Sequence, residues 1–100
     1  MVSTVAIVRI HRYAVEPADV PQLMARRVEL ISTIRASYPG LAEVRLTRLA
    51  DGTFTDTWRW DSAEQMRAAL AAAPSLAEVG AAMSLTTGAT AEDGEIVDER

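Results

Sequence analysis

The chain has 100 residues, no cysteine and a formal net charge of −4 at pH 7. This length suits a single domain, residues 1–100, and the absence of thiols excludes a disulfide framework and thiolate chemistry. Five of the fourteen acidic residues lie in the segment 92–100, which we interpret as an acidic C-terminal strand or tail, and the balanced remainder argues against nucleic acid as a partner.

The N-terminal residues and the hydropathy pattern predict a cytoplasmic protein. Residues 1–4 lack the basic region and apolar run of a signal peptide. No apolar run approaches the roughly 18–20 residues that a membrane span requires. We therefore expect no membrane partner.

The segment 4–13 predicts a strand, because its residues alternate between two faces. We expect one face to lie under helices and the other to lie at a dimer interface. The first face comprises Ala6, Val8 and Ile10, and the second comprises Val5, Ile7, Arg9, His11 and Tyr13. Pro17 ends the strand, and Asp19 is a typical N-cap for a helix that continues to about Ser37.

This helix carries an apolar stripe at helical spacing, which predicts its core-facing side. The stripe comprises Val20, Leu23, Met24, Val28, Ile31 and Ile34. The charged residues Arg26, Arg27, Glu29 and Arg35 lie mostly outside it. The sequence Tyr38-Pro39-Gly40 then ends the helix.

A hairpin of two strands follows, at 41–49 and 53–61. Asp51-Gly52 predicts a two-residue turn that joins them antiparallel. The second strand alternates strictly, with Phe54, Asp56, Trp58 and Trp60 on one face. We expect this face to lie under the helices, together with Ala42, Val44 and Leu46 of the first strand.

Two capping boxes predict two further helices. Ser62-Ala63-Glu64-Gln65 opens a helix that ends near Ala73, and Ser75-Leu76-Ala77-Glu78 opens the next. For the remainder we predict a loop at 86–93 and a short last strand at 94–99. A strand at 84–91 is the alternative, which we favour less because Gly88 and its small neighbours pack poorly.

The predicted order is β-α-β-β-α-β, an α+β ferredoxin-like split fold whose antiparallel sheet carries helices on one face. The uncovered face would mix apolar and charged residues. Such a face suits a second copy of the sheet across a two-fold axis, so we predict a homodimer.

The chain resembles the antibiotic biosynthesis monooxygenase family of dimeric α/β barrels. The resemblance rests on Tyr38-Pro39-Gly40-Leu41, on Asp51-Gly52, and above all on Trp60-Asp61-Ser62-Ala63-Glu64. It implies a homodimer with a cavity between sheet and helices in each subunit. It also implies, for some members, oxidation of phenols or quinols by O₂ without metal or flavin; other members degrade heme.

The resemblance places Trp60 at the family's strand-end pocket tryptophan and Asp56 where relatives tend to hold an amide. Leu70 and Ser75 stand where many relatives carry histidine. Heme is not expected, because the single histidine, His11, is predicted to lie at the dimer interface. We expect no cofactor, and one histidine without cysteine cannot supply a conventional zinc site.

Asp56 and Trp60 are the candidate catalytic residues. Asp56 would act as a general base if its pKa were raised between aromatic neighbours; the alternative is a carboxylate that is paired with an arginine or exposed at an edge. The candidate contacts of a flat aromatic substrate are Trp58, Phe54, Tyr38, Met66 and Leu70. Each of these could instead be an ordinary core or structural residue, and His11 with Arg9 and Tyr13 could be a catalytic trio or an interface cluster.

The function we predict is cofactor-independent oxidation of a flat quinol-type or anthrone-type molecule by O₂. Two alternatives remain: a non-catalytic module that binds a small molecule, and a cyclase-like catalyst of polyketide folding. Consumption of O₂ separates the first from the other two. Product formation without O₂ would mark the third.

Overall fold

The computed structural model describes residues 5–100, which form a four-stranded antiparallel sheet with helices on one face. The strands are Ile7–Val15 (β1), Leu41–Arg48 (β2), Phe54–Trp60 (β3) and Thr86–Glu95 (β4), and the helices are Val20–Ser37 (α1), Ala63–Ala72 (α2) and Ala77–Met83 (α3). The strand order β2-β3-β1-β4 is the ferredoxin-like order, so the predicted α+β fold is confirmed. The predicted first strand began at Thr4, which lies outside the described residues.

β1 turns the opposite face to the helices from the one that we predicted. In its register with β3, the residues Ile7, Arg9, His11 and Tyr13 lie opposite Trp60, Trp58, Asp56 and Phe54. Directly paired residues of antiparallel strands share a face, so this set lies under the helices. Val8 and Ile10 therefore lie on the uncovered face. Both faces of β1 carry apolar residues, and alternation alone does not distinguish them.

The predicted stripe of α1 is confirmed in part: Leu23 and Ile34 are buried and Val20 and Ile31 pack against the core, whereas Met24 and Val28 are exposed. The buried residues of α1 are Leu23, Arg27, Leu30 and Ile34. Val28 is 67% exposed and Met24 is 46% exposed, whereas Arg27 is only 7% exposed. The prediction placed Arg27 in solvent because its side chain is charged. In the structure Arg27 is buried because it pairs with the buried Asp56 carboxylate on β3.

The β2–β3 turn has three residues, 50–52, rather than the predicted two. The Leu49 N–H donates to the Thr53 carbonyl at 2.8 Å, and Gly52 has a φ of 88°. This left-handed φ favours glycine and is typical of three-residue hairpin loops. Asp51 accepts hydrogen bonds from the backbone and hydroxyl of Thr53, which fixes the turn.

Ser62 caps α2 as predicted, because its hydroxyl accepts a hydrogen bond from the Gln65 N–H at 3.3 Å. The Gln65 side chain does not complete the capping box. Its Oε1 accepts the Gly40 N–H at 2.7 Å, and a Cβ on residue 40 would lie 2.6 Å from that oxygen. The absence of a side chain at Gly40 thus allows Gln65 of α2 to hydrogen-bond to the turn that precedes β2. The second predicted capping box is wrong: the N-cap of α3 is Leu76, while the Ser75 hydroxyl donates to the Ala72 carbonyl.

The last strand begins at Thr86, so the predicted loop at 86–93 and strand at 94–99 are wrong. The register between β1 and β4 shifts at residues 12–14, where one extra residue of β4 is accommodated. Gly88 has a φ of 64° at this point. It therefore serves a β-bulge, which a glycine makes possible, and does not break the strand.

The acidic end of the chain pairs with arginines of the sheet. Asp93 lies 3.0 Å from Arg9, and Glu99 lies 2.6 Å from Arg59. The Arg59 guanidinium holds the pKa of Glu99 below its ordinary value. The charge imbalance of the sequence is thus locally compensated in the fold, although exposed pairs of this kind contribute little to stability. Among residues 5–100, no helix is long and apolar enough to cross a membrane.

Candidate functional site

A cavity of about 120 Å³ lies between the sheet and the three helices. It is comparable in size to the roughly 150 Å³ apolar cavity that can hold one benzene ring. Its apolar lining comes from every layer around it: Leu23, Leu30 and Ile34 of α1, Trp58 and Trp60 of β3, Ala69 and Leu70 of α2, and Val79, Ala82 and Met83 of α3. Its polar lining comes from Arg9, His11, Tyr13, Arg27 and Asp56. This space therefore suits one flat ring with a polar substituent.

Asp56 is the centre of the polar lining and is 4% exposed. Arg27 donates to both of its oxygens, from Nε to Oδ2 and from Nη2 to Oδ1, each at 2.8 Å. The Tyr13 hydroxyl donates to Oδ2 at 2.7 Å, and the Trp58 Nε1–H donates to Oδ1 at 3.0 Å. Four donors thus occupy the two carboxylate oxygens, which is the arrangement that allows a buried charge.

This cluster fixes the orientation of the side chains around the carboxylate. The bidentate geometry holds the α1 side of the cavity against β3. Burial, followed by the adjacent Asp56 charge, raises the pKa of Tyr13, so its hydroxyl keeps its proton and donates it. The Trp58 indole is held by its ring N–H and presents its surface to the cavity. The predicted alternative of a carboxylate paired with an arginine is the geometry observed.

His11 lines the same cavity, so it does not lie on the uncovered sheet face where its interface position was predicted. Its ring meets the Trp58 indole edge-on, with the ring centroids 6.4 Å apart. Burial, and then the Arg9 charge, lower the pKa of His11 below 6.5, while Asp56 and Asp93 oppose this shift. The imidazole is therefore neutral at pH 7 and can accept a proton.

The lowered pKa of His11 predicts how stability depends on pH. The unfolded chain binds more protons than the folded chain between the folded-state pKa and 6.5, so this contribution is complete above 6.5 and is lost as the pH falls through the folded-state pKa. We expect the urea midpoint of the wild type to fall more steeply than that of His11→Phe between about pH 7 and about pH 5. Parallel curves for the two proteins would contradict the burial of His11.

Four of the predicted site residues line the cavity together: Asp56, Trp58, Trp60 and Leu70. The other three lie outside its described lining. Phe54 packs with Tyr13 and Leu23 in a separate core cluster, Met66 is buried in the main core, and Tyr38 packs against that core at its edge.

The sequence prediction missed Arg27 and misplaced His11, Arg9 and Tyr13. One signal could have found Arg27. A carboxylate on an otherwise aromatic, buried strand face needs a cation, and Arg27 is on the helix that covers this face. For Arg9, His11 and Tyr13 no comparable signal exists, because their burial depends on a register that the sequence does not state.

Comparison with known proteins gives a fold-level result. No family model matches the sequence, and no curated protein matches it. Among solved structures, the ActVA-Orf6 monooxygenase of Streptomyces coelicolor, in complex with nanaomycin D, is 22% identical with a TM-score of 0.75, covering 96% of this chain and 91% of its own. The heme-degrading protein of Mycobacterium tuberculosis is 21% identical with a TM-score of 0.74, covering 98% of both chains. SnoaB, a cofactor-independent oxygenase of Streptomyces nogalater, is 23% identical with a TM-score of 0.64, covering 95% of this chain and 94% of its own.

The chain has the fold of the antibiotic biosynthesis monooxygenases. The resemblance inferred from the Trp60-Asp61-Ser62 junction is thus confirmed at the level of fold. Proteins of the antibiotic biosynthesis monooxygenase fold include both oxygenases and heme-degrading proteins, so the fold alone does not choose a reaction.

The cavity in its present shape is smaller than a heme. Although His11 lies in the cavity and not on the uncovered sheet face, the space of about 120 Å³ holds about one benzene-sized ring, and a porphyrin has four pyrrole rings. The reasoning that placed the single histidine outside the cavity was therefore wrong, and the argument against heme that remains is the size of the cavity. Within residues 5–100, no group of three or more metal-ligating side chains is close enough to hold a metal ion.

Proposed function

We propose that this chain binds a small hydroxylated aromatic molecule in the cavity and oxidises it with O₂ without a metal or organic cofactor. The observation that most strongly supports this proposal is an apolar, ring-sized space that also has a polar lining of Asp56, Arg27 and His11. The apolar surfaces would hold the ring, His11 would bind its hydroxyl, and the Asp56–Arg27 pair would keep the surrounding side chains in place.

The reaction needs no external reductant if the substrate supplies four electrons to O₂. One oxygen atom then enters the product. In an anthrone the ring CH₂ group becomes a carbonyl, which releases all four electrons. In a hydroquinone a ring C–H becomes C–OH, which releases two, and the quinol becomes a quinone, which releases the other two. In both cases the second oxygen atom leaves as water. Ionisation of the substrate hydroxyl makes the ring electron-rich enough to react with O₂ directly. The proposed tasks of the protein are therefore to orient the ring, to remove a proton and to exclude bulk water.

Trp58 and Trp60 are the proposed ring contacts, because both indoles line the cavity on β3. Asp56 remains a candidate base by prediction, but to accept a proton it would have to give up one of its four donors. Its proposed role is instead to hold Arg27, Tyr13 and Trp58 in place. Leu70 would contact the ring from α2.

The experiment that tests this proposal is O₂ uptake with a panel of hydroquinones and anthrones. We expect uptake above the spontaneous rate, with one atom of labelled ¹⁸O₂ in the product and the other in water. The size of the cavity predicts that single-ring hydroquinones are preferred over tricyclic anthrones, and that Leu70→Ala shifts this preference toward the larger substrates. Binding without O₂ uptake would contradict the oxygenase proposal.

A non-catalytic binding module is the second candidate. Two observations favour it: Leu70 and Ser75 stand where many relatives of the resembled family carry histidine, and the oxygens of Asp56 are already occupied. A cyclase-like catalyst would use the same cavity without O₂. A ligand that quenches tryptophan fluorescence and is recovered unchanged would favour the binding module.

We also propose that two copies pair through the uncovered sheet face. The helices cover one face only, and Val8 and Ile10 lie partly exposed on the other, among threonines and charged residues. We expect a dimer by light scattering at micromolar concentration, which Ile10→Arg converts to a monomer. The control Val28→Arg places the same charge on the solvent side of α1 and should remain dimeric. A monomeric wild type would contradict the proposal.

A further inference from the structure

We propose that His11 is the proton acceptor for the substrate hydroxyl, and that the Nε–H of Arg9 binds the resulting oxyanion. This inference rests on the proposed binding of a hydroxylated aromatic, and it assigns the removal of the hydroxyl proton to two residues of β1. The two side chains are on the same face of β1, two positions apart, and both line the cavity.

The first observation is an unsatisfied donor. Arg9 donates through Nη1 to both oxygens of Asp93 at 3.0 Å, and its Nε takes no part in this pair. This Nε is buried and has no hydrogen-bond partner within residues 5–100. A buried donor without a partner costs roughly 1–3 kcal/mol. The Nε is out of reach of a water molecule, so the Arg9 side chain, which lines the cavity, has to shift for a ligand oxygen to accept this N–H and recover that free energy.

The second observation is a free acceptor in the same cavity. The groups that act on the His11 ring are Arg9 of β1, Asp56 of β3 and Asp93 of β4, and each acts through its charge, without a hydrogen bond to the ring. Burial keeps the ring neutral at pH 7, so one of its nitrogens carries a lone pair.

A hydroxyl group satisfies both side chains at once. Its O–H bond breaks, the proton forms a bond to a ring nitrogen of His11, and both electrons of the O–H bond remain on the oxygen. The oxyanion then accepts the Arg9 Nε–H. Asp56 is poorly suited to this task because four donors already hold its oxygens, and Tyr13 keeps its own proton.

The test uses 4-nitrophenol, a single-ring phenol whose ionised form is coloured and which O₂ does not oxidise. The chain has one histidine, so in tag-free protein the two imidazole ¹⁵N signals, from Nδ1 and Nε2, both report His11. We expect bound nitrophenol to ionise while His11 gains a proton, one for one. In Arg9→Gln the ionised fraction should fall at least threefold, whereas Arg67→Gln, on the exposed side of α2, should match the wild type.

A kinetic measurement complements the binding test. With a hydroquinone, His11→Gln should lower kcat by about 10²–10⁴-fold and remove the acidic limb of its pH profile, with a smaller change in KM. Nitrophenol that binds but stays neutral, or ionises without protonating His11, would overturn the inference and leave the proposed function intact. Failure of nitrophenol and hydroquinone to bind would overturn both. Ionisation on His11 without any O₂ uptake would support the inference and remove only the oxygenase proposal.

Discussion

Arg27→Ala is expected to destabilise the fold by roughly 3–5 kcal/mol, because it leaves the buried Asp56 carboxylate without its cation. The side chains of this pair are 9% and 6% exposed, so solvent cannot replace the lost partner. A loss of this size is a large part of the roughly 5–15 kcal/mol that stabilises a domain. Urea unfolding at low temperature, followed by circular dichroism, measures it.

The matched control is Arg67→Ala, which removes an exposed arginine from α2 and should change stability by about 0.5 kcal/mol or less. A double-mutant cycle with Asp56→Ala isolates the pair. We expect the double variant to be more stable than the sum of the single effects by about 1–3 kcal/mol. Additive effects, or a cost for Arg27→Ala equal to that of the control, would show that the two residues are not paired.

Trp58→Ala is expected to destabilise the protein by roughly 3–5 kcal/mol and to weaken binding of an aromatic ligand about tenfold. The indole is 9% exposed, fills part of the core and lines the cavity, so both effects follow from one side chain. Trp58→Phe keeps an aromatic ring but removes the donor to Asp56. It should cost about 1.5–3 kcal/mol, as expected for a hydrogen bond to a charged group.

Phe54→Leu separates the two effects. Phe54 is on the same face of β3 and is equally buried, but it lies outside the described cavity lining. We expect this variant to lose stability and to keep the ligand affinity of the wild type, which fluorescence titration measures. If Phe54→Leu weakens binding as much as Trp58→Ala, then Phe54 contacts the ligand, as the sequence alone suggested.

The order of elements could be predicted because local signals mark it. Pro39-Gly40 ends α1, Ser62 caps α2, and the alternation of β3 places its four aromatic and acidic residues on one face. These features depend on residues within a few positions of one another. The same holds for the family resemblance, which rests on the junction between β3 and α2.

The site could be predicted only in part, because its other half is set by contacts between distant segments. Alternation does not choose between the faces of β1, since Ile7 and Val8 are equally apolar. By residue type, Arg9 and His11 indicate an outer face, but Arg9 pairs with Asp93 of β4 and both side chains line the cavity. Arg27 is buried by a carboxylate 29 positions away in the chain. Gly88 indicates a break in the strand when only its neighbours are considered, whereas in the structure it forms a β-bulge against β1.

The central claim is that the cavity between sheet and helices is the ligand site, and NMR titration with hydroquinone under argon tests it most directly. We predict saturable shifts of the Trp58 indole N–H and of the single His11 ring. Shifts confined to the groove on the outer side of α1, around Val28, Ile31 and Arg35, would contradict the claim, as would the absence of any shift at millimolar ligand.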